Sequence, residues 1–201
     1  FFIEGTRTRT GKLSTPKMGI LSYLLDAVDE GYNSDMIFVP ITITYDRILE
    51  ESSYHMELKG KEKETETTSA FVKSRKLLKR KYGKVYLSFN KPFSYREYRD
   101  SLKEGEDIAD SLGHFITRRI NEIVMATPFS ITSAAMLQSS AHGFTREMLK
   151  KRITLLLDYC AFAGVRMSDH LAAAANYDEI INYVLESYLQ DNIVGEPTAG
   201  V

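Results

Sequence analysis

The first ninety residues alternate between short apolar runs typical of strands and longer amphipathic patterns typical of helices. The apolar runs predict strands over residues 1–3, 36–45 and 84–89. Apolar residues at helical spacing predict a helix over residues 17–31, and Ser69 can cap another that runs to about residue 82. Strands that alternate with helices predict an α/β fold, in which a largely parallel sheet is flanked by helices.

The second half of the chain has a different pattern. From about residue 104 onward the apolar residues recur only at helical spacing, over residues 107–126, 131–138, 145–163 and 177–190. We therefore predict two parts: the C-terminal part of an α/β domain over residues 1–103, and an all-helical region over residues 104–201.

The composition restricts the class of protein. The 201 residues carry a formal net charge of −1, without the basic excess that nucleic-acid-binding domains usually show, so no nucleic-acid partner is expected. A single cysteine, Cys160, excludes an internal disulfide and suits a reducing compartment. No apolar run reaches eighteen residues, so no membrane-spanning helix is predicted, although the chain could lie on a membrane surface.

Two further features lie at the start of the chain and inside the predicted strand over residues 36–45. The chain starts within a strand-like run, with no initiator methionine and no signal-peptide pattern, so we expect it to be the C-terminal portion of a longer protein. Pro40 lies inside the predicted strand over residues 36–45. Because proline has no N–H to donate to a sheet, we expect a bulge or a break in pairing at this point.

The segment after the first predicted strand is the candidate anion-binding site. In an extended stretch Arg7 and Arg9 point to the same side, and Lys12 and Lys17 follow. Guanidinium groups donate paired, charge-assisted hydrogen bonds to phosphate or carboxylate. Pro16 and Lys17 then open a helix whose N-terminal amides favour anions. A solvated surface loop is the alternative interpretation.

Other motifs are absent or ambiguous. A nucleotide P-loop does not fit, because five residues separate Gly5 from Gly11-Lys12, and Leu13 stands where a hydroxyl would hold magnesium. The four histidines show no metal-ligand spacing, and no G-x-S-x-G motif is present. The basic residues between 73 and 84 form either a solvated face or a patch for anionic lipid head groups.

Two sequence blocks resemble a known family. Phe2-Ile3-Glu4-Gly5-Thr6-Arg7-Thr8-Arg9-Thr10-Gly11-Lys12-Leu13 resembles the substrate-binding block of the glycerol-3-phosphate and dihydroxyacetone-phosphate acyltransferases. Val39-Pro40-Ile41-Thr42-Ile43-Thr44-Tyr45-Asp46 is similar to the next block, and Ile120-Asn121 with Thr127-Pro128 resembles the helical C-terminal region of the glycerol-3-phosphate enzymes.

The resemblance implies transfer of a fatty acyl group from acyl-CoA or acyl carrier protein to the sn-1 hydroxyl of glycerol 3-phosphate, the first step of phospholipid synthesis. It implies no cofactor, and a peripheral location on the cytoplasmic face of a membrane, the inner membrane in a bacterium. The substrate-binding residues would be Glu4, Gly5, Thr6, Arg7, Thr8, Arg9, Lys17 and Pro40.

The sequence departs from the family at the catalytic motif. The family's H-x-x-x-x-D is absent, because Gly60, Arg119, Glu147 and Ala175 stand five residues after the histidines. We therefore expect the catalytic histidine and aspartate upstream of Phe1, and no catalytic residue in this chain. Two alternatives stay open, a dihydroxyacetone-phosphate acyltransferase and a non-catalytic module that binds phospholipids or other anions. The sequence does not indicate an oligomeric state.

Overall fold

A computed structural model describes residues 1–6, 12–47, 83–138 and 143–195. These residues form helices and short strands, which divide into two compact units. The first unit combines residues 1–43 with 87–124, and the second combines residues 44–86 with 125–201. The units are sets of residues in mutual contact, so the predicted domain boundary near residues 100–105 stays a prediction.

The first unit is built on three helices, α1 (Met18–Asp29), α2 (Tyr95–Asp100) and α3 (Ile108–Asn121). Side-chain caps start the last two, since Ser94 accepts from the Glu97 N–H and Asp107 from the Asp110 N–H. Apolar residues at helical spacing on α1 and α3 face each other in one core. The core of this unit contains Ile3, Leu21, Leu25, Val28, Phe38, Tyr95, Leu112 and Ile116.

Pro40 divides the predicted strand over residues 36–45 into two, as the sequence indicated. Strand β1 (Ile37–Phe38) pairs antiparallel with β4 (Phe93–Ser94). Strand β2 (Ile41–Tyr45) pairs instead with β3 (Val85–Phe89). The Pro40 carbonyl accepts the Asn90 N–H at 2.9 Å, and the Lys84 carbonyl accepts the Asp46 N–H at 3.0 Å. These bonds at opposite ends make the second pair antiparallel too.

The described residues of the second unit form four helices, α4 (Pro128–Leu137), α5 (Arg146–Phe162), α6 (Asp169–Ala173) and α7 (Tyr177–Gln190). Each begins with a side-chain cap, from Thr127, Thr145, Ser168 and Asn176 respectively. Strands β5 (Met125–Ala126) and β6 (Arg166–Met167) pair in parallel. The core collects Ala126, Ile131, Ala135, Leu149, Ile153, Cys160, Leu171, Ile180 and Ile181.

The mixture of helices and strands is confirmed, whereas a largely parallel sheet is not found among the described residues. They hold three sheets of two strands each, and only β5 and β6 run parallel. The predicted helix over residues 107–126 is shorter, because Met125 and Ala126 pair with β6. The same pair shows that the region after residue 104 is not all-helical, and residues 1–3 do not form the predicted strand. The predicted helix over residues 69–82 lies outside the described residues.

Candidate functional site

The two ends of the predicted anion-binding segment are held together at its base. The Lys17 N–H donates to the Ile3 carbonyl at 2.8 Å, and Glu4 Oε2 accepts the Ser14 N–H at 2.8 Å. Ile3 is buried in the core of the first unit, which anchors this closure. The hydrogen bonds bring Glu4, Gly5 and Lys17 together, as a binding loop would require.

Gly5 adopts a left-handed backbone conformation that the turn at this position requires. Its φ is +67°, and its N–H donates to the Phe2 carbonyl at 3.1 Å, which closes a tight turn. A Cβ at Gly5 would lie 3.1 Å from Lys17 Cγ. A larger residue would therefore be strained and would push against the lysine stem.

The start of α1 is suited to an anion. Lys17 is the N-cap residue and makes no side-chain cap bond, and the first turn holds no acidic residue. The lysine is exposed, and the N–H groups of a first helical turn carry partial positive charge. Lys17 and the end of α1 thus place positive charge beside Gly5.

Gly113, on α3, supports this end of α1 and was missed by the sequence reasoning. A Cβ at Gly113 would lie 2.7 Å from Met18 Sδ and 3.3 Å from Pro16 Cβ. The glycine thus lets α3 pack closely against the residues that flank Lys17. A glycine in the interior of a strongly patterned helix, costly for helix propensity, was the available signal.

Of the other predicted site residues, the structure describes Thr6 and Pro40. Arg7, Thr8 and Arg9 lie outside the described residues, and Thr6 is exposed. Pro40 is buried, and its carbonyl bonds to Asn90. The assignment of these residues to substrate binding stays a prediction.

A second cluster of polar groups in the first unit has a structural explanation. Asp35 accepts the Ser94 hydroxyl at 2.6 Å, and its other oxygen accepts the Met36 N–H at 2.7 Å and the Arg96 N–H at 3.1 Å. The hydrogen bond from Ser94 is the main cause that lowers the pKa of Asp35. The carboxylate ties β1 to the start of α2, so it holds the fold rather than a ligand.

The second unit contains a buried carboxylate that the sequence reasoning did not single out. Asp46 is 6% exposed, and its Oδ2 accepts the Lys84 N–H at 2.9 Å. Burial raises the pKa of Tyr86, and the charges of Asp46 and Asp169 raise it further.

Within the described ranges, no group of three or more His, Cys, Asp or Glu side chains is arranged to hold a metal ion. The part of the chain that the structure describes also contains no helix long and apolar enough to cross a membrane.

Comparison with known proteins agrees with the resemblance. The sequence model described as "Glycerol-3-phosphate acyltransferase C-terminal region" matches residues 54–201. Among curated relatives, the glycerol-3-phosphate acyltransferase of Actinobacillus pleuropneumoniae serotype 5b (strain L20) is 30% identical over 200 residues, 92% of this chain and 24% of the relative. The enzymes of that name from Shewanella amazonensis and Aeromonas hydrophila are 29% and 31% identical over 188 and 174 residues.

The last two matches include 82% and 79% of this chain, but only 23% and 21% of the respective relatives. It therefore spans about a quarter of the length of the curated relatives that it matches. Because the family model matches most of the chain and these relatives agree with it, the chain belongs to the glycerol-3-phosphate acyltransferase family.

Proposed function

We propose that this chain is the C-terminal part of an enzyme that transfers a fatty acyl group from acyl-CoA or acyl carrier protein to the sn-1 hydroxyl of glycerol 3-phosphate. The family match supports acylation of glycerol 3-phosphate. The closed base formed by Glu4, Gly5 and Lys17 supports a phosphate site in the segment between them. That closure is the observation on which the assignment of this segment depends.

The segment from Glu4 to Lys17 would hold the acceptor. Arg7 and Arg9 would donate charge-assisted hydrogen bonds to the phosphate, each worth about 1.5–3 kcal/mol. Lys17 and the first amides of α1 would add positive charge on one side. Since Glu4 accepts the Ser14 N–H, its first role would be to hold the loop closed.

The chemical step would use residues outside this chain. A histidine would accept the proton of the sn-1 hydroxyl, and an aspartate would orient that histidine. The oxygen would then attack the thioester carbonyl, the carbon–sulfur bond would break, and the thiol would leave with the proton. This reaction requires no cofactor. We place it on the cytoplasmic face of a membrane, where the acylated product would partition.

The architecture of the intact protein is part of the same proposal. Sheets of two strands are marginally stable alone. We propose that the strands of the first unit belong to a larger, largely parallel sheet, which the rest of the polypeptide completes and which helices flank.

The phosphate site is tested by Lys17→Met in the intact enzyme. Loss of one charged contact is expected to raise the KM for glycerol 3-phosphate about tenfold, because about 1.4 kcal/mol corresponds to a tenfold change in affinity. The KM for the acyl donor should stay unchanged. Lys103→Met removes an exposed lysine of the first unit in the same way and should leave both constants at the wild-type value.

Arg7→Ala extends the same experiment to the predicted clamp and should raise the KM for the acceptor further. Unchanged acceptor kinetics in both the Lys17 and the Arg7 variants would contradict the assignment of the segment. Competition between glycerol 3-phosphate and dihydroxyacetone phosphate identifies the acceptor. Two features keep dihydroxyacetone phosphate as the second candidate: Thr6, which stands in place of a second glycine in the family's substrate-binding block, and the sequence Thr42-Ile43-Thr44-Tyr45-Asp46.

A further inference from the structure

Strands β2 and β3 expose their apolar side. Within the first unit, Ile41 and Ile43 on β2 are 42% and 43% exposed, and Leu87 and Phe89 on β3 are 56% and 57% exposed. The side chains between them, Thr42 and Ser88, are half-buried and buried respectively. An antiparallel sheet with one face in water normally turns its polar residues outward, so this pair has the reverse arrangement.

The exposed side chains stand opposite each other in pairs. The hydrogen bond between Asn90 and Pro40 places these two residues opposite each other in an antiparallel pair. One step along both strands then places Ile41 opposite Phe89, and two further steps place Ile43 opposite Leu87. Side chains opposite each other on one face lie about 4.5–5.5 Å apart at Cβ. The four residues therefore form one continuous apolar surface, here called the β2–β3 face.

An apolar surface of this kind is unusual when it is exposed to solvent. Soluble monomers rarely expose contiguous apolar patches larger than a few hundred Å². A pair of strands also needs a third strand or a packed helix to be stable. The apolar alternation extends toward the N-terminal side of β2, where Val39 is 43% exposed and Ile37 is 59% exposed.

We infer that the β2–β3 face is covered by an apolar helix face that belongs to the remaining part of the same polypeptide. The curated relatives are about four times as long as their matched region, which leaves ample chain for such a cover. Helices are the elements that normally cover the sheet faces of α/β proteins. The inference rests on the proposed function only in taking the intact protein to be the longer acyltransferase.

Cysteine labelling in the intact polypeptide tests this inference without measuring acyl transfer. Ile41→Cys and Leu87→Cys are made separately in a background without other cysteines, and their reaction with a maleimide is timed. Tyr23→Cys and Tyr32→Cys are the controls, because both tyrosines are 78% exposed and lie in the same unit without belonging to a strand. Each β2–β3 variant is expected to react at least tenfold more slowly than the controls, and at the control rate after denaturation.

A second measurement separates a cover within the polypeptide from other causes of protection. Protection that stays constant over a hundredfold dilution of the protein, and that needs no detergent or vesicle, supports the inference. Labelling at the control rate would overturn it. Protection lost on dilution would instead indicate a second copy of the protein, and protection that requires phospholipid vesicles would indicate a membrane. Because the labelling needs no turnover, an error in the proposed substrate would leave this result unaffected.

Discussion

Gly5 is the described residue whose backbone conformation bears most directly on the proposed acceptor site. Its positive φ and its closeness to Lys17 are separate constraints, since the first concerns the turn and the second the space beside the lysine stem. Glu4 and Lys17 close the loop through hydrogen bonds on either side of this glycine. The structure thus describes the residues that hold the loop closed, whereas the contacts of the arginines are predicted from the sequence.

We predict that Gly5→Ala raises the KM for glycerol 3-phosphate several-fold in the intact enzyme. Alanine at a positive φ costs about 1 kcal/mol or more, and its Cβ would displace the Lys17 stem. The matched control is Gly31→Ala, because Gly31 has a φ of +85° and open space around it. Both variants should lose similar unfolding free energy in urea denaturation, but only the Gly5 variant should change acceptor kinetics. Identical kinetics in the two variants would contradict a specific role for Gly5.

At the scale of elements, Tyr95 joins α1 to α2 inside the first core. It is fully buried, and its hydroxyl donates to Asp29 Oδ2 at 3.1 Å, while Arg99 Nη1 donates to Asp29 Oδ1 at 3.0 Å. Burial, and next the bond to Asp29, raise the pKa of Tyr95 to about 12. The neutral phenol is therefore part of the packed state.

We predict that this tyrosine makes stability fall in alkaline solution. Because the folded pKa is above the unfolded value, its contribution is complete below pH 10 and is lost as the pH rises toward 12. Two pKa units correspond to about 2.7 kcal/mol. In Tyr95→Phe, the unfolding free energy measured in urea should fall less steeply between these pH values. Tyr23→Phe, at an exposed tyrosine, should keep the wild-type slope, and an equal slope in both variants would contradict the prediction.

Helix bounds show where local sequence was sufficient. The predicted helix over residues 177–190 is observed as Tyr177–Gln190, because Asn176 supplies its cap and apolar residues recur at helical spacing. The two short helices α2 and α6 were missed. Helices of six and five residues are marginal alone, so their existence depends on caps at Ser94 and Ser168 and on packing around them.

At the scale of the whole molecule, this chain is expected to hold part of an acceptor site without the groups that activate the hydroxyl. We predict that the purified 201-residue chain shows no thioester-dependent acylation of glycerol 3-phosphate. The physical reason is that no histidine in it is followed five residues later by an aspartate. The intact enzyme, assayed in parallel, is the positive control. Appreciable turnover by the isolated chain would show that the chemistry has been assigned to the wrong residues.

The sequence by itself determined the features that depend on neighbouring residues. These are the helix of residues 177–190, the break at Pro40, and the two blocks whose resemblance pointed to the family. A cap, a missing N–H and a motif act over a few residues, so they can be recognised in the sequence.

Only the tertiary structure decided which distant segments meet. It pairs Met125 with Arg166, gives β1 and β2 different partners, and leaves the apolar side of β2 and β3 exposed. Alternation along a strand predicts two faces but not which one is buried. That choice depends on the free energy of packing against segments far away in the chain, and local propensity carries no information about it.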